Sequence, residues 1–171
     1  MTGVNGRRFQ GTHTFLMQVI DFMTRAPAVC TPDTSLRLVA QLMSDHNCAA
    51  IPIVDSNGAV GIVTDRDIAC RAVALGWNAA EMPAGAIMST PAIAVGPREE
   101  WDVAVALMKE NRIHHLLVID EDGLLVGIVA QSDLGRRMNN RELGDLARAT
   151  SLPATHWSRG LPVTSPSKNS H

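Results

Sequence analysis

The chain has 171 residues, of which 46% are apolar, 19% charged and 4% aromatic, with no tyrosine. A formal charge of −2 gives no general reason to expect affinity for nucleic acid or anionic membrane, so any anion recognition has to be local. No uninterrupted apolar run reaches the ~20 residues of a membrane-spanning helix. Cys30, Cys48 and Cys70 match neither a zinc spacing nor a disulfide framework, and they predict buried, reduced thiols in a cytoplasmic protein.

In chain order, residues 1–15 are polar and contain glycine, which predicts a flexible arm. From Leu16 to Met23 the chain turns apolar and is expected to dock against a core. Beyond this point one unit is written twice. Met23, Pro32, Leu42 and Met43 fall on Met88, Pro97, Leu107 and Met108 at one constant offset, and Asp55 and Gly58 fall on Asp120 and Gly123. One extra residue in the second copy then brings Gly61 onto Gly127 and Asp67 onto Asp133. Two copies of a long unit are not a solenoid.

Each copy reads as strand, helix, strand, strand, helix. In the first helix Leu36, Val39, Ala40 and Met43 share a face, as do Trp101, Ala104, Val105 and Met108 in its counterpart. Asp33 suits the N-cap of the former. Arg98 offers no such cap, although Glu99 and Glu100 suit the positive end of the helix dipole. Two apolar strands come next in each copy, joined at Asn57-Gly58 and at Asp122-Gly123. Strands apolar on both faces are expected between helices on one side and a partner sheet on the other. A unit of roughly 50 residues buries too little surface to stand comfortably alone, so the copies are expected to share a core.

The second strand of each copy ends in a repeated phrase, GIVTDRDI (61–68) and GIVAQSDL (127–134). Thr64 with Asp67 three residues on has the spacing of a capping box. The same helix start could also hold a phosphate, with the carboxylate of Asp67 accepting from ribose hydroxyls. Arg66 adds local positive charge, and Arg71 is placed to pair with Asp67 one turn later. Spacing alone does not separate cap from ligand site. In the second copy Ala130 replaces the hydroxyl, and Ser132 faces another direction on the helix.

The two stretches FMTRAPAVCTPDTSLRLVAQLM…AAIPIVDSNGAVGIVTDRDI and IMSTPAIAVGPREEWDVAVALM…HHLLVIDEDGLLVGIVAQSDL resemble a tandem pair of CBS (cystathionine β-synthase) domains, a Bateman module, over residues 16–138. The resemblance implies an α/β fold of the α+β type, with two β-α-β-β-α repeats packed sheet to sheet about a pseudo-two-fold axis. It implies a regulatory adenosine ligand in the clefts between the repeats: AMP, ADP or ATP, with S-adenosylmethionine or NAD(H) as further candidates. No other cofactor and no metal is implied. Ribose and phosphate contacts carry over to Thr64, Asp67 and the neighbouring Arg66, and in the second copy to Asp133 alone, a site expected to be weak or empty. The adenine slot carries over to Ala28, Val29, Ile51 and Pro52.

His114-His115 opens the second copy's central strand. One reading has alternate side chains, one in an interface and one in solvent, without a ligand role. The phrase IHHLLVID also resembles the His-Arg-Leu phrase of the AMP-activated kinase gamma subunit, which implies phosphate contacts for His114 and, with lower charge than arginine, for His115. Phosphate binding through them would strengthen below about pH 6.5.

The expected organisation is therefore an arm at 1–15, repeat one at 16–76, a linker at 77–86, repeat two at 87–138, and a helical extension with a disordered tail at 139–171. RELGDLARA (141–149) is expected to prolong the last helix. The function expected is that of a homodimeric sensor of an adenosine nucleotide acting on an unidentified protein. The alternative is a ligand-free scaffold acting through protein contacts only. An enzyme is disfavoured, and no catalytic residue is assigned, because no base, nucleophile or metal-ligand cluster accompanies the acids.

Overall fold

The computed structural model describes residues 17–136 and 138–151. The expected N-terminal arm and C-terminal tail lie outside the described residues.

The elements follow the repeat. The first copy holds β1 (Thr24–Arg25), α1 (Leu36–Asp45), β2 (Ala50–Asp55), β3 (Gly58–Thr64) and α2 (Asp65–Asp67). The second holds β4 (Ala94–Val95), α3 (Trp101–Asn111), β5 (His115–Ile119), β6 (Leu125–Ala130) and α4 (Gln131–Gly135), followed by α5 (Asn140–Thr150). Helix α2 runs on as a wider π turn over Ile68–Ala72 and a 3-10 turn over Val73–Leu75, and stops at Gly76 with φ +72°.

Helix α1 is amphipathic as expected, with Leu36, Val39 and Met43 buried. Ala40, however, is exposed. The cap also differs from expectation: Ser35, not Asp33, is the N-cap, and its side chain accepts from the Leu38 amide. Thr31–Thr34 first closes its own turn, with the Thr34 amide bonded to the Thr31 carbonyl, so Asp33 is spent before the helix begins. Helix α3 begins after Glu100 with no side-chain cap bond and buries Ala104, Val105 and Met108.

The two sheets have the same strand order. In the second copy β4 lies parallel to β5, β5 antiparallel to β6, and β6 antiparallel to β1. In the first copy the β2–β3 hairpin is flanked by single bridges, Cys30 parallel to Ile53 and Ser89 antiparallel to Ile62. One edge of each sheet is thus supplied by the other copy.

That exchange extends to the segments leading into the strands. The Val19 and Ile20 amides donate to the Glu99 and Pro97 carbonyls, and Trp101 N donates to Met17 O. Reciprocally, the Ala84 and Gly85 amides donate to the Thr34 and Pro32 carbonyls, and Leu36 N donates to Met82 O. Val19 is fully buried in the second copy's core, while Ala84 and Ile87 complete the first.

The glycines that open the repeated phrase are required where the exchanged strands cross. A Cβ on Gly61 would lie 2.8 Å from Met88 Sδ and 3.0 Å from the Ser89 carbonyl. On Gly127 it would lie 2.7 Å from Met23 Sδ and 3.0 Å from the Thr24 carbonyl. The hairpin tips also meet, for a Cβ on Gly58 (φ +105°) would stand 3.3 Å from the Gly123 carbonyl. Two sheets of one order, related by these matched contacts, pack about a pseudo-two-fold axis.

RELGDLARA does not prolong the preceding helix. Helix α4 ends at Gly135, and Asn139 starts α5 by accepting from the Arg141 and Glu142 amides. Glu142 returns a bond to Asn139 N, and this closed capping box makes a new helix rather than an extension. Leu146 anchors α5 in the second copy's core with no exposed surface. Among the described residues no helix is long and apolar enough to cross a membrane.

Candidate functional site

The repeated phrases sit at the strand ends opposite the hairpin tips. Thr64 is the N-cap of α2: its hydroxyl oxygen accepts from Asp67 N at 3.2 Å, and the hydroxyl donates to Asp67 Oδ2 at 2.7 Å. Thr64 N donates to the same Oδ2 at 2.9 Å. Asp67 is 9% exposed, and its Oδ1 lies 3.2 Å from Arg71 Nη2. The expected capping box and the expected ion pair are thus both present, on one carboxylate.

The second copy keeps half of this arrangement. Asp133 Oδ2 accepts from Ala130 N at 2.9 Å, but Ala130 has no oxygen with which to cap α4. Gln131, which replaces Asp65, bonds instead to α5, accepting at Oε1 from the Thr150 hydroxyl at 2.9 Å.

The histidines separate, as strand alternation requires. His114 is exposed, and its Nε2 lies 3.0 Å from the Thr150 carbonyl. His115 opens β5 opposite Ala130. Burial pushes its pKa below the usual imidazole value, His114 adds to that, and Asp65, Asp133 and Asp67 pull the other way. The charged form of His115 is thus favoured by acids of both copies, though burial outweighs them. Thr150 and Asp65 carry no local sequence signal for their parts here, since both act across the fold.

The other expected site residues lie as follows. Arg66 is exposed on α2, and its amide donates to Asp65 Oδ1 at 2.6 Å. Ala28 is half-buried and Val29 is 42% exposed. Pro52 is buried, and Ile51 is wholly enclosed in the first copy's core. A shallow hollow of about 440 Å³, lined by Ile20, Met23, Arg25 and Leu125, lies at the hairpin end away from these residues. Asp120 also lines it, but none of Asp65, Asp67 and Asp133 does.

The cysteines depart from expectation in part. Cys30 is buried, and burial raises its thiol pKa, opposed by a hydrogen bond with Thr34. Cys48 is half-buried, but Cys70 is exposed, because it lies on the outward side of the turn that continues α2. Among the described residues no three His, Cys, Asp or Glu side chains are grouped to hold a metal ion.

Comparison with known proteins matches this architecture. The CBS domain family model matches residues 19–72 and 84–140. The chain is 36% identical over 130 residues to the CBS domain-containing protein YhcV of Bacillus subtilis, covering 75% of this chain and 91% of that protein. The CBS domain pair of protein MJ0100, solved with 5′-methylthioadenosine and S-adenosyl-L-methionine, superposes with a TM-score of 0.65 at 28% identity, over 71% of this chain and 95% of that one. CBSX2, solved with AMP, superposes with a TM-score of 0.60 at 27% identity, over 70% and 94%. With both of its repeats matched and their sheets in the same order, this chain belongs to the CBS domain family.

Proposed function

We propose that this chain is a cytoplasmic regulatory module that takes an adenosine compound in the cleft between its repeats, with Asp67 at the ribose hydroxyls. The observation that carries this reading is the carboxylate of Asp67. It is nearly buried and held by three donors at the start of α2. A carboxylate has about four acceptor positions, so a cis-diol can add to this set or displace Arg71. The complexes of MJ0100 and CBSX2 with adenosine compounds support the same reading.

Ligand would act by favouring one arrangement of the repeats over another, to the extent that it binds one better. We place the primary site at Thr64 and Asp67, with Val29 and Ala28 beside the base. The Asp133 site is weak or empty, since Ala130 and Gln131 supply neither hydroxyl nor charge. Self-association into a homodimer would cover exposed apolar side chains on the helical side, Leu38, Val73 and Leu75. The regulated protein would bind the module in one of its two arrangements.

A second reading has its own observation. Thr64, Asp67 and Arg71 already form a complete helix cap, as they would in a ligand-free scaffold. Thermal unfolding against adenosine, 5′-methylthioadenosine, S-adenosylmethionine, AMP, ADP, ATP and NADH separates the two. Ligand at 100 times its dissociation constant stabilises by about 2.7 kcal/mol, a rise of roughly 5–10 °C for a chain of this size. A rise that Asp67→Asn abolishes supports the sensor. No rise with any compound supports the scaffold.

A further inference from the structure

After the repeated phrase and its helix the two copies take different courses. In the first the chain runs past Gly76 into the segment that crosses to complete the sheet. In the second Asn139 opens α5, which lies against α3. Of its 11 residues only Leu146 and Thr150 are buried. A helix this short is marginal in water by itself, so its fastenings decide whether it forms.

One fastening is Leu146 in the second copy's core. The other lies at the far end of the helix and is polar. Thr150 is 3% exposed. Its hydroxyl is shared between Gln131 Oε1 at 2.9 Å and the Leu146 carbonyl at 3.0 Å. Its carbonyl lies 3.0 Å from His114 Nε2. A carbonyl only accepts, so Nε2 carries the proton, and it satisfies one of the acceptors that a helix end leaves over. Gln131 N donates in turn to the His114 carbonyl at 2.8 Å. The three residues close a ring of hydrogen bonds.

This ring sits at the first rung of the β5–β6 pair. His114 precedes His115, which faces Ala130, and Gln131 follows Ala130 at the start of α4. The corresponding places in the first copy hold Ala49, which has no side-chain donor, and Asp65, which is exposed. The imidazole and the amide that receive Thr150 thus belong to the second copy alone, together with the helix they hold.

We propose that α5 is a latch on the second repeat, held shut at its last turn by Thr150 on His114 and Gln131, and able to open without unfolding the repeat. Opening withdraws Leu146 from the core beside α3 and frees the strand end where the second repeated phrase begins its helix. A shift of that strand end loosens the latch in return. The inference rests on these bonds and on the sparse burial of α5, and is independent of what the cleft binds.

Hydrogen exchange on the full chain, read by mass spectrometry, tests it. In the unaltered chain the amides of residues 143–151 should exchange faster than those of α3 and β5. Thr150→Val and His114→Ala should each speed α5 by a further factor of roughly three to ten, the loss of one hydrogen bond. Exchange in α3, β5 and β6 should stay as it was. Gln131→Ala should act in the same direction but more weakly, since the Leu146 carbonyl still takes the hydroxyl. If α5 keeps pace with α3 and β5 in the unaltered chain, it is an integral part of the repeat and the latch is overturned. Variants that leave α5 unchanged, or that speed the whole second repeat equally, overturn it as well.

Discussion

Arg71 joins Asp67 to the strand that crosses from the other repeat. Its Nη2 is shared between Asp67 Oδ1 and the Ser89 hydroxyl, and its Nη1 donates to the Ile87 carbonyl at 2.5 Å. The carboxylate that caps α2 therefore also holds the segment that completes the first sheet. Asp67→Asn leaves an acceptor for the cap but removes the charge, and should cost about 2 kcal/mol. Asp133→Asn weakens a single bond to Ala130 N and should cost about 1 kcal/mol or less. Urea unfolding of the two variants checks the difference, and equal losses would contradict this division of work.

Gly61→Ala and Gly127→Ala should be destabilising by similar amounts, about 1–3 kcal/mol each. The methionine sulfurs can swing aside, but the carbonyls of Ser89 and Thr24, each 3.0 Å from the new Cβ, move only with the crossing strands. Gly144 in α5 is the control. Its Cβ would come no closer than 3.9 Å to Arg148, so Gly144→Ala should stabilise by roughly 0.5–1 kcal/mol through helix propensity. Melting temperatures falling for two alanines and rising for the third would separate close approach from backbone entropy.

The desolvated ring of His115 makes stability depend on pH in one direction. Its pKa is lowered chiefly by burial, so as pH falls below about 6.5 the unfolded chain takes up a proton that the folded chain refuses. Stability then declines with falling pH until the folded pKa is passed, and the effect is absent above neutrality. His115→Gln should flatten the melting temperature between pH 7 and pH 5. A slope that His115→Gln leaves unchanged would contradict this assignment.

Thiol reactivity should follow exposure. Cys70 is expected to react first with a disulfide-exchange reagent at pH 8, Cys48 more slowly, and Cys30 only on unfolding, since burial raises its pKa and closes access. Mass mapping of the labelled peptides reads the order, and early labelling of Cys30 would mean that the first repeat opens locally.

Much of this fold could be read from the residues because it is local and repeated. The hairpin turns at Gly58 and Gly123, the apolar face of α3 and the Thr64–Asp67 cap all depend on neighbours within a few positions. The misses have several causes. Ser35 displaces Asp33 because an independent turn consumes the earlier residue. Ala40 faces solvent although its spacing suits the buried stripe. Helix α5 stands apart because Asn139 and Glu142 close a second capping box, whereas the periodicity of 141–149 is indifferent to where its helix begins. The influence of Asp65 and Asp67 on His115, which belongs to the other repeat, has no signature in either phrase taken alone.

The exchange of Met17–Arg25 for Met82–Ser89 bears on descent. A single copy of this unit would carry a leading segment that cannot reach its own sheet and an empty groove shaped for the same segment from elsewhere. Two such chains would satisfy each other by trading those segments, as domain-swapped pairs do. The tandem arrangement is that trade written into one polypeptide. Duplication and fusion would have turned an assembly dependent on concentration into one that closes at any dilution, and freed the halves to differ. The difference between Thr64 and Ala130 is an asymmetry that two identical chains could not carry.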